Sequence, residues 1–82
     1  MDEHSLNLFN VLNEYREHLK DIEAPEQIRT VVDSVLASLT HEEYADEDEL
    51  ELLSTYIEDF DGDNPESEAV LDVIREYEEN AA

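Results

Sequence analysis

Apolar residues recur at intervals of three and four along the first part of the chain. On a helix these positions fall on one side, because residues three and four apart share a face. The stripe consists of Leu8, Leu12, Tyr15, Leu19 and Ile22. We therefore expect a first helix over roughly residues 3–22.

A second apolar segment is rich in β-branched residues, which are indifferent helix formers and favour strands. Its apolar positions are Ile28, Val31, Val32, Val35, Leu36 and Leu39. Their spacing is again three and four, whereas a half-buried strand would alternate every second residue, so the pattern favours a helix. Pro25 suits the first turn of that helix, since the amide hydrogen that proline lacks would have no partner there.

A third helix has two candidate starting points. Thr40-His41-Glu42-Glu43 matches a capping box, in which the threonine hydroxyl and the glutamate three residues on satisfy open backbone amides. The helix either starts there or restarts after Asp46. Its expected buried stripe is Leu50, Leu53, Ile57 and Phe60, with Leu52 and Tyr56 beside it.

The stretch IEDFDGDNPESE, residues 57–68, separates the third helix from a fourth. Gly62 can take the positive φ that ends a helix, Asn64 is a good N-cap and Pro65 a good first residue. The apolar stripe of the fourth helix is Val70, Val73, Ile74 and Tyr77. Together the patterns predict an all-α fold, a small antiparallel bundle of three or four amphipathic helices.

Acidic residues dominate the composition. The chain has 25 Asp and Glu against 4 Lys and Arg, a formal net charge of −21. Small soluble domains are comfortable with a net charge of magnitude about 2–8. The excess destabilises a fold by self-repulsion, which salt screens beyond a Debye length of ~8 Å. Because such a surface repels nucleic acid and anionic membranes, a basic protein surface, cations or high external salt remain to compensate the charge.

Other features of the composition limit the class of protein. The absence of cysteine excludes disulfides, thiolate nucleophiles and Cys-ligated zinc. No apolar run approaches the ~18 residues of a membrane span. The opening MDEHSLN is acidic where a secretory signal would be basic and then apolar. We expect one cytoplasmic acidic domain over residues 1–82, and an apolar edge at residues 6–9 leaves a homodimer open.

The aspartates of the 57–68 stretch raise the question of a calcium loop. An EF-hand loop needs oxygen ligands at positions 1, 3 and 5, a glycine at position 6 and a glutamate at position 12. Counted from Asp59, position 6 is Asn64 and position 12 is Val70, while the glycine stands at position 4. We therefore predict no metal site and no cofactor, and weak cation binding by residues 59–63 stays open.

Catalytic motifs are not distinguishable in this chain. Carboxylate pairs are so frequent that no single pair indicates an acid–base site, which needs two distinct environments. His4, His18 and His41 lie on different segments and lack metal-ligand spacing, so we expect them on the solvent side. We therefore predict that the protein is not an enzyme.

Acids near helix ends give the best indication of function. At a helix N-terminus they are stabilising, but at a C-terminus they are not, so capping explains about half of them. Acids one turn apart lie ~5–6 Å apart, and two rows of them can imitate the phosphates of nucleic acid. The residues that we expect to contact a partner are Asp46, Glu47, Asp48, Glu49, Glu51, Glu58, Asp59, Asp61, Asp63, Glu66 and Glu68.

One local stretch resembles a known family. Residues 57–65, IEDFDGDNP, and the acid-rich helix predicted after them look like the end of the small acidic adaptor family of iron–sulfur assembly, the frataxin and cysteine-desulfurase partner. The resemblance implies acids that bind iron and a basic desulfurase surface. It covers about a quarter of the chain, which has no tryptophan and no correspondence to the family in its first fifty residues. We do not assign the chain to that family.

The predicted function is stoichiometric binding. The protein would occupy a basic, nucleic-acid-binding surface of a partner as a DNA-mimic-type inhibitor or modulator, in the manner of phage counter-defence proteins and nuclease immunity proteins. Two alternatives remain: a haloadapted helical protein whose acids hold water in a salt-saturated cytoplasm, and an acidic adaptor for a metal or iron–sulfur assembly enzyme.

Overall fold

A computed structural model describes residues 2–81, which form four α-helices and no strand. They are α1 (Glu3–Asp21), α2 (Glu26–Thr40), α3 (Glu47–Phe60) and α4 (Pro65–Ala81). The all-α prediction is confirmed, and the β-branched second segment is helical, as its spacing indicated. Within the described range, no helix combines the length and the apolar character needed to cross a membrane.

The helices form a ring in chain order. Each packs against the next, and α4 closes the ring on α1, while the diagonal pairs make no close backbone contact in the described part of the chain. One end of the bundle brings Ser5, Leu39 and Asn80 to the same cleft, so α1 begins where α2 and α4 end. At the other end Ile28 and Tyr56 share a groove, so α2 begins where α3 ends. Neighbouring helices are therefore antiparallel, in a bundle measuring 30 × 20 × 20 Å.

The core consists of the stripes read from the sequence, with one clear error. The predicted stripes of α1, α2 and α4 are buried except for Ile22, which caps α1 and is 43% exposed, and the half-buried Val73. On α3 the stripe ends at Ile57, which is 0% exposed, whereas Phe60 is 78% exposed. Phe60 lies in the last turn of α3 and lines an open groove with the first turn of α2. The prediction that Phe60 is buried was wrong.

Three helices begin with a side-chain cap. The carboxylates of Asp2 and Asp46 accept hydrogen bonds from the backbone amides of Ser5 at 2.8 Å and Asp48 at 2.9 Å. Asn64 Oδ1 accepts from the amide of Ser67 at 2.8 Å, which confirms Asn64 as the cap of the helix that Pro65 begins. Such caps satisfy amides that have no partner within the helix.

The prediction that Thr40 begins a capping box was wrong. The other predicted start, after Asp46, is where α3 begins. Thr40 is the last residue of α2, and its hydroxyl donates to the carbonyl of Leu36 at 2.8 Å. The side chain is therefore bonded back into the preceding turn. The local pattern of a threonine followed by glutamates could not distinguish a helix end from a helix start.

Two glutamates, and not the glycine, take the left-handed backbone conformation at helix ends. Glu23 has a φ of 52° and Glu42 a φ of 58°, and Gly62 has no positive φ, contrary to the prediction. After α1, the amide of Ala24 donates to Leu19 and that of Glu23 to Lys20, the two bonds of a Schellman motif. At Gly62 a Cβ would stand 3.3 Å from the carbonyl oxygen of Ile57, a tight contact that a small shift of the backbone would have to relieve.

The connection from α2 to α3 is held by Tyr77 of α4. The hydroxyl of Tyr77 accepts a hydrogen bond from the backbone amide of Ala45 at 3.1 Å, and its ring lies 5.2 Å from that of Tyr44. Ala45 is itself buried. Since the contact spans residues distant in sequence, it ties this loop to the end of the last helix.

The position of Phe60 outside the core predicts contrasting effects of two truncations. Ile57→Ala should lower the free energy of unfolding by about 2–5 kcal/mol, because it leaves a cavity in the core. Phe60→Ala should change it by about 0.5 kcal/mol or less, as an exposed side chain does. Urea unfolding followed by circular dichroism measures both, and similar losses for the two variants would contradict the structure.

The strained conformation of Glu23 predicts a stabilising substitution. Glu23→Gly should raise the free energy of unfolding by up to about 1 kcal/mol, since glycine takes a positive φ without a Cβ clash. Glu23→Gln removes the same charge but keeps the Cβ, so it serves as the control in the same thermal and urea unfolding experiments. An equal gain from the Gln variant would show that charge, and not backbone strain, is responsible.

Candidate functional site

The carboxylate of Asp61 is bound by side chains from three parts of the chain. Its Oδ2 accepts hydrogen bonds from the hydroxyl of Tyr15 at 2.7 Å and from Oγ of Ser67 at 3.0 Å, and it lies 3.1 Å from Nε2 of His18. Its Oδ1 accepts from the amide nitrogen of Asn64 at 2.8 Å. The Asp61 side chain is 12% exposed. We call these five residues the Asp61 network.

The Asp61 network corrects two expectations. Asp61 was predicted to belong to the surface that meets a partner, yet its oxygens face inward and are already hydrogen-bonded. His18 was expected on the solvent side, yet its side chain is only 20% exposed and its ring stacks on Tyr15 with centroids 5.5 Å apart. Neighbours in the sequence could not reveal either position, because Tyr15 and His18 come from the other end of the chain.

Ionisation of Asp61 is favoured by this setting. Burial is the largest single influence and raises the pKa of the Asp61 carboxyl, but the hydrogen bonds from Tyr15 and Ser67 and the nearby His18 together outweigh it. The pKa of Asp61 therefore lies below its usual value of 3.8. Burial, reinforced by the hydrogen bond to Asp61, raises the pKa of Tyr15 well above that of a free phenol, so Tyr15 stays a hydrogen-bond donor.

Two further predicted contact residues also have structural partners. Asp46 caps α3, and Oε1 of Glu49 accepts a hydrogen bond from the hydroxyl of Ser34 on α2 at 3.1 Å. The remaining predicted acids are exposed, and their carboxylates make no hydrogen bond or ion pair with the described residues. They are Glu47, Asp48, Glu51, Glu58, Asp59, Asp63, Glu66 and Glu68.

The exposed acids of α3 lie on its outward face. Each residue of a helix turns by about 100°, so Glu47, Glu51 and Glu58 lie within about 40° of one another. Leu50 and Ile57, which enter the core, lie about 60–120° around the helix from this row. Asp63 and Glu66 instead lie at the turn into α4, so the structure divides the predicted surface between a helix face and a helix end.

The outward face of α4 carries a further row of exposed acids that the predicted contact residues do not include. Asp72, Glu76 and Glu79 follow Glu68 at intervals of four, four and three, and all are exposed. The regular spacing was a signal in the sequence that could have found them. The helix α3 packs against α4, and Glu58 of the α3 row lines the same cleft as Glu79 of the α4 row. We define the α3–α4 acidic face as Glu47, Asp48, Glu51, Glu58, Asp59, Glu68, Asp72, Glu76 and Glu79.

Charge is unevenly distributed between the two halves of the chain. Residues 41–82 contain 17 Asp and Glu and a single basic residue, Arg75, whereas residues 1–40 contain 8 acids and 3 bases. Two of these three bases form ion pairs with acids of residues 1–40, Arg16 with Asp33 at 2.7 Å and Lys20 with Glu17 at 3.5 Å. The fold places the more acidic half on one side, since α3 and α4 are neighbours.

The described residues show no group of three or more histidine and acidic side chains placed to hold a metal ion. In the stretch that resembles a calcium loop, both oxygens of Asp61 accept hydrogen bonds from other side chains. Asp59 and Asp63 point to no shared centre with Asp61, because Asp61 faces the bundle and the other two are exposed.

Comparisons with protein-family models, with curated proteins and with solved structures give no match to this chain. The resemblance of residues 57–65 to the iron–sulfur adaptor family is thus not accompanied by a family match.

The Asp61 network predicts that one acid in the turn is needed for stability and its neighbour is not. Asp61→Asn should lower the free energy of unfolding by about 1–3 kcal/mol, because it leaves buried donors imperfectly paired. Asp63→Asn, which removes the same charge from an exposed site, should stay within about 0.5 kcal/mol of the wild type. Urea unfolding at neutral pH gives both values, and equal effects would contradict the inward position of Asp61.

The same network predicts how that difference depends on pH. The pKa of Asp61 is lower in the folded state than its usual 3.8. Its contribution to the free energy of unfolding is therefore complete above pH 3.8. It is lost as the pH falls through the lower folded-state pKa. The difference in unfolding free energy between wild type and Asp61→Asn should therefore shrink in acid, and a difference independent of pH would contradict the assignment.

Proposed function

We propose that this protein is a non-enzymatic binding protein whose α3–α4 acidic face occupies a basic surface of a partner protein. The observation that supports the proposal is the uneven charge, 17 acids and one base in residues 41–82. A partner surface that binds nucleic acid is the best match, since its lysines and arginines are arranged to meet regularly spaced negative charges. Binding would then block or modulate the nucleic-acid function of that partner.

The dimensions of the face suit this role. Carboxylates one helical turn apart are separated by ~5–6 Å at their β-carbons, and α3 from Glu47 to Glu58 spans about 16 Å. Packed helices lie about 8–10 Å apart, so α3 and α4 offer two roughly parallel rows of charge. A surface that recognises a nucleic-acid backbone by charge and spacing would accept such rows.

Uneven charge also distinguishes this proposal from salt adaptation. An acidic coat that only holds water has no reason to favour one side of the bundle. Here the α1 and α2 half has ion pairs such as Arg16–Asp33, whereas the α3–α4 acidic face has one nearby base, Arg75. Concentrating like charges on one side increases self-repulsion, which a basic partner would relieve.

Two matched triple substitutions test the proposal. Glu47→Gln, Glu51→Gln and Glu58→Gln together neutralise one row of the acidic face. Glu3→Gln, Glu14→Gln and Glu17→Gln remove the same charge from exposed positions on one face of α1. Each variant is titrated against purified nucleases and DNA-binding proteins that hold fluorescent duplex DNA, and DNA displacement is measured.

We expect the wild type to displace DNA from a responsive partner, with affinity falling steeply between about 50 and 200 mM salt. The α3 triple variant should bind about ten-fold or more weakly, and the α1 triple variant within about two-fold of the wild type. Equal losses of affinity in both variants, or an affinity that does not change with salt concentration, would overturn the proposal. Thermal unfolding against KCl adds a second check, because a haloadapted protein would unfold at low salt.

A further inference from the structure

An apolar groove lies beside the acidic face, between the first turn of α2 and the second half of α3. It has a volume of about 500 Å³ and is lined mainly by apolar side chains. Ile28 and the half-buried Tyr56 lie deepest, and Pro25, Leu52 and Phe60 form its open sides. Nothing in the Asp61 network or in the α3–α4 acidic face accounts for this groove.

Phe60 is the main unexplained feature of the groove. It is 78% exposed, and its ring is 5.6 Å from that of Tyr56, so one face of the aromatic pair remains open to solvent. Leu52, two turns earlier on the same helix, is also 39% exposed. Exposed aromatic and aliphatic side chains around a concave surface are typical of the anchoring points of protein interfaces. Their exposure is otherwise unfavourable for the free protein.

Acidic residues border the groove on both sides. On the α3 side, the exposed Asp59 precedes Phe60, and the exposed Asp48 lies one turn before Leu52. On the other side, Glu23 and Glu26 flank Pro25 and are also exposed. The one base of α2, Arg29, lies about 100° around that helix from Ile28 and does not line the groove. The rim is therefore negative.

We propose that this groove binds an amphipathic helical segment of the basic partner, with apolar side chains against Phe60 and Leu52 and with lysines or arginines over the acidic rim. The inference rests on the proposed function and specifies the partner chemistry. A helix is favoured because the described residues offer no strand edge, and a groove between two helices accepts a third. A second copy of this chain is a poorer occupant, since each copy carries a net charge of −21.

Two synthetic helical peptides test the groove. Both carry the same lysines and arginines; one has leucine and phenylalanine at positions i, i+3, i+4 and i+7, and the other has serine there. Binding of each peptide is measured by calorimetry against wild type, Phe60→Ala and Leu6→Ala. Leu6 is the matched control, because it is an exposed apolar residue, 47% accessible, on α1 away from the groove.

We expect the wild type to bind the apolar-faced peptide about ten-fold or more tightly than the serine peptide at the same salt concentration. Phe60→Ala should abolish this preference, and Leu6→Ala should keep it. In spectra of labelled protein, the signals of Ile28, Leu52 and Tyr56 should shift on binding. Circular dichroism of the variants confirms that they are folded.

The outcomes separate this inference from the proposed function. Equal, salt-dependent binding of both peptides would overturn the groove and leave the acidic face supported. Preference for the apolar-faced peptide, with an affinity that changes neither with salt nor with the Glu47, Glu51 and Glu58 substitutions, would support the groove and count against the acidic face. Binding of neither peptide would overturn the inference. Self-association in sedimentation that Phe60→Ala removes would also overturn it, in favour of a second copy.

Discussion

The carboxylate of Asp61 joins α1 to the turn between α3 and α4, and this junction fixes how the ring of helices closes. Removing a carboxylate from water is strongly unfavourable unless other groups replace the lost hydrogen bonds. Tyr15, Ser67 and His18 do so at one oxygen, and Asn64 does so at the other. Since Asn64 also caps α4, the same network sets where the last helix begins and how it meets the first.

This use of an acid inside the bundle changes how the remaining charge is understood. Some acids stabilise the fold: Asp2 and Asp46 cap helices, and Glu49 bonds to Ser34 across the contact between α2 and α3. The other exposed acids of α3 and α4 have no such internal task, and they gather on one side. A net charge of −21 thus combines structural carboxylates with a surface whose charge the fold does not need.

The apolar groove and the acidic face are complementary features of a binding surface. Charge on the face would bring a basic partner to the correct side quickly, but screened charge pairs contribute little affinity each. Apolar contact at Phe60 would supply affinity that salt does not weaken. A protein with both can combine rapid association with discrimination among basic partners.

From the sequence alone, the spacing of apolar residues determined the helices, their approximate bounds and most of the core. The N-cap at Asn64 was also predictable, because capping depends on neighbours along the chain. Only tertiary structure decided that Asp61 and His18 lie inward and that Phe60 lies outward, since these depend on residues far away in sequence. In the sequence, Asp59, Asp61 and Asp63 look equivalent. The fold brings Tyr15 within 2.7 Å of one of them and leaves its neighbours to solvent.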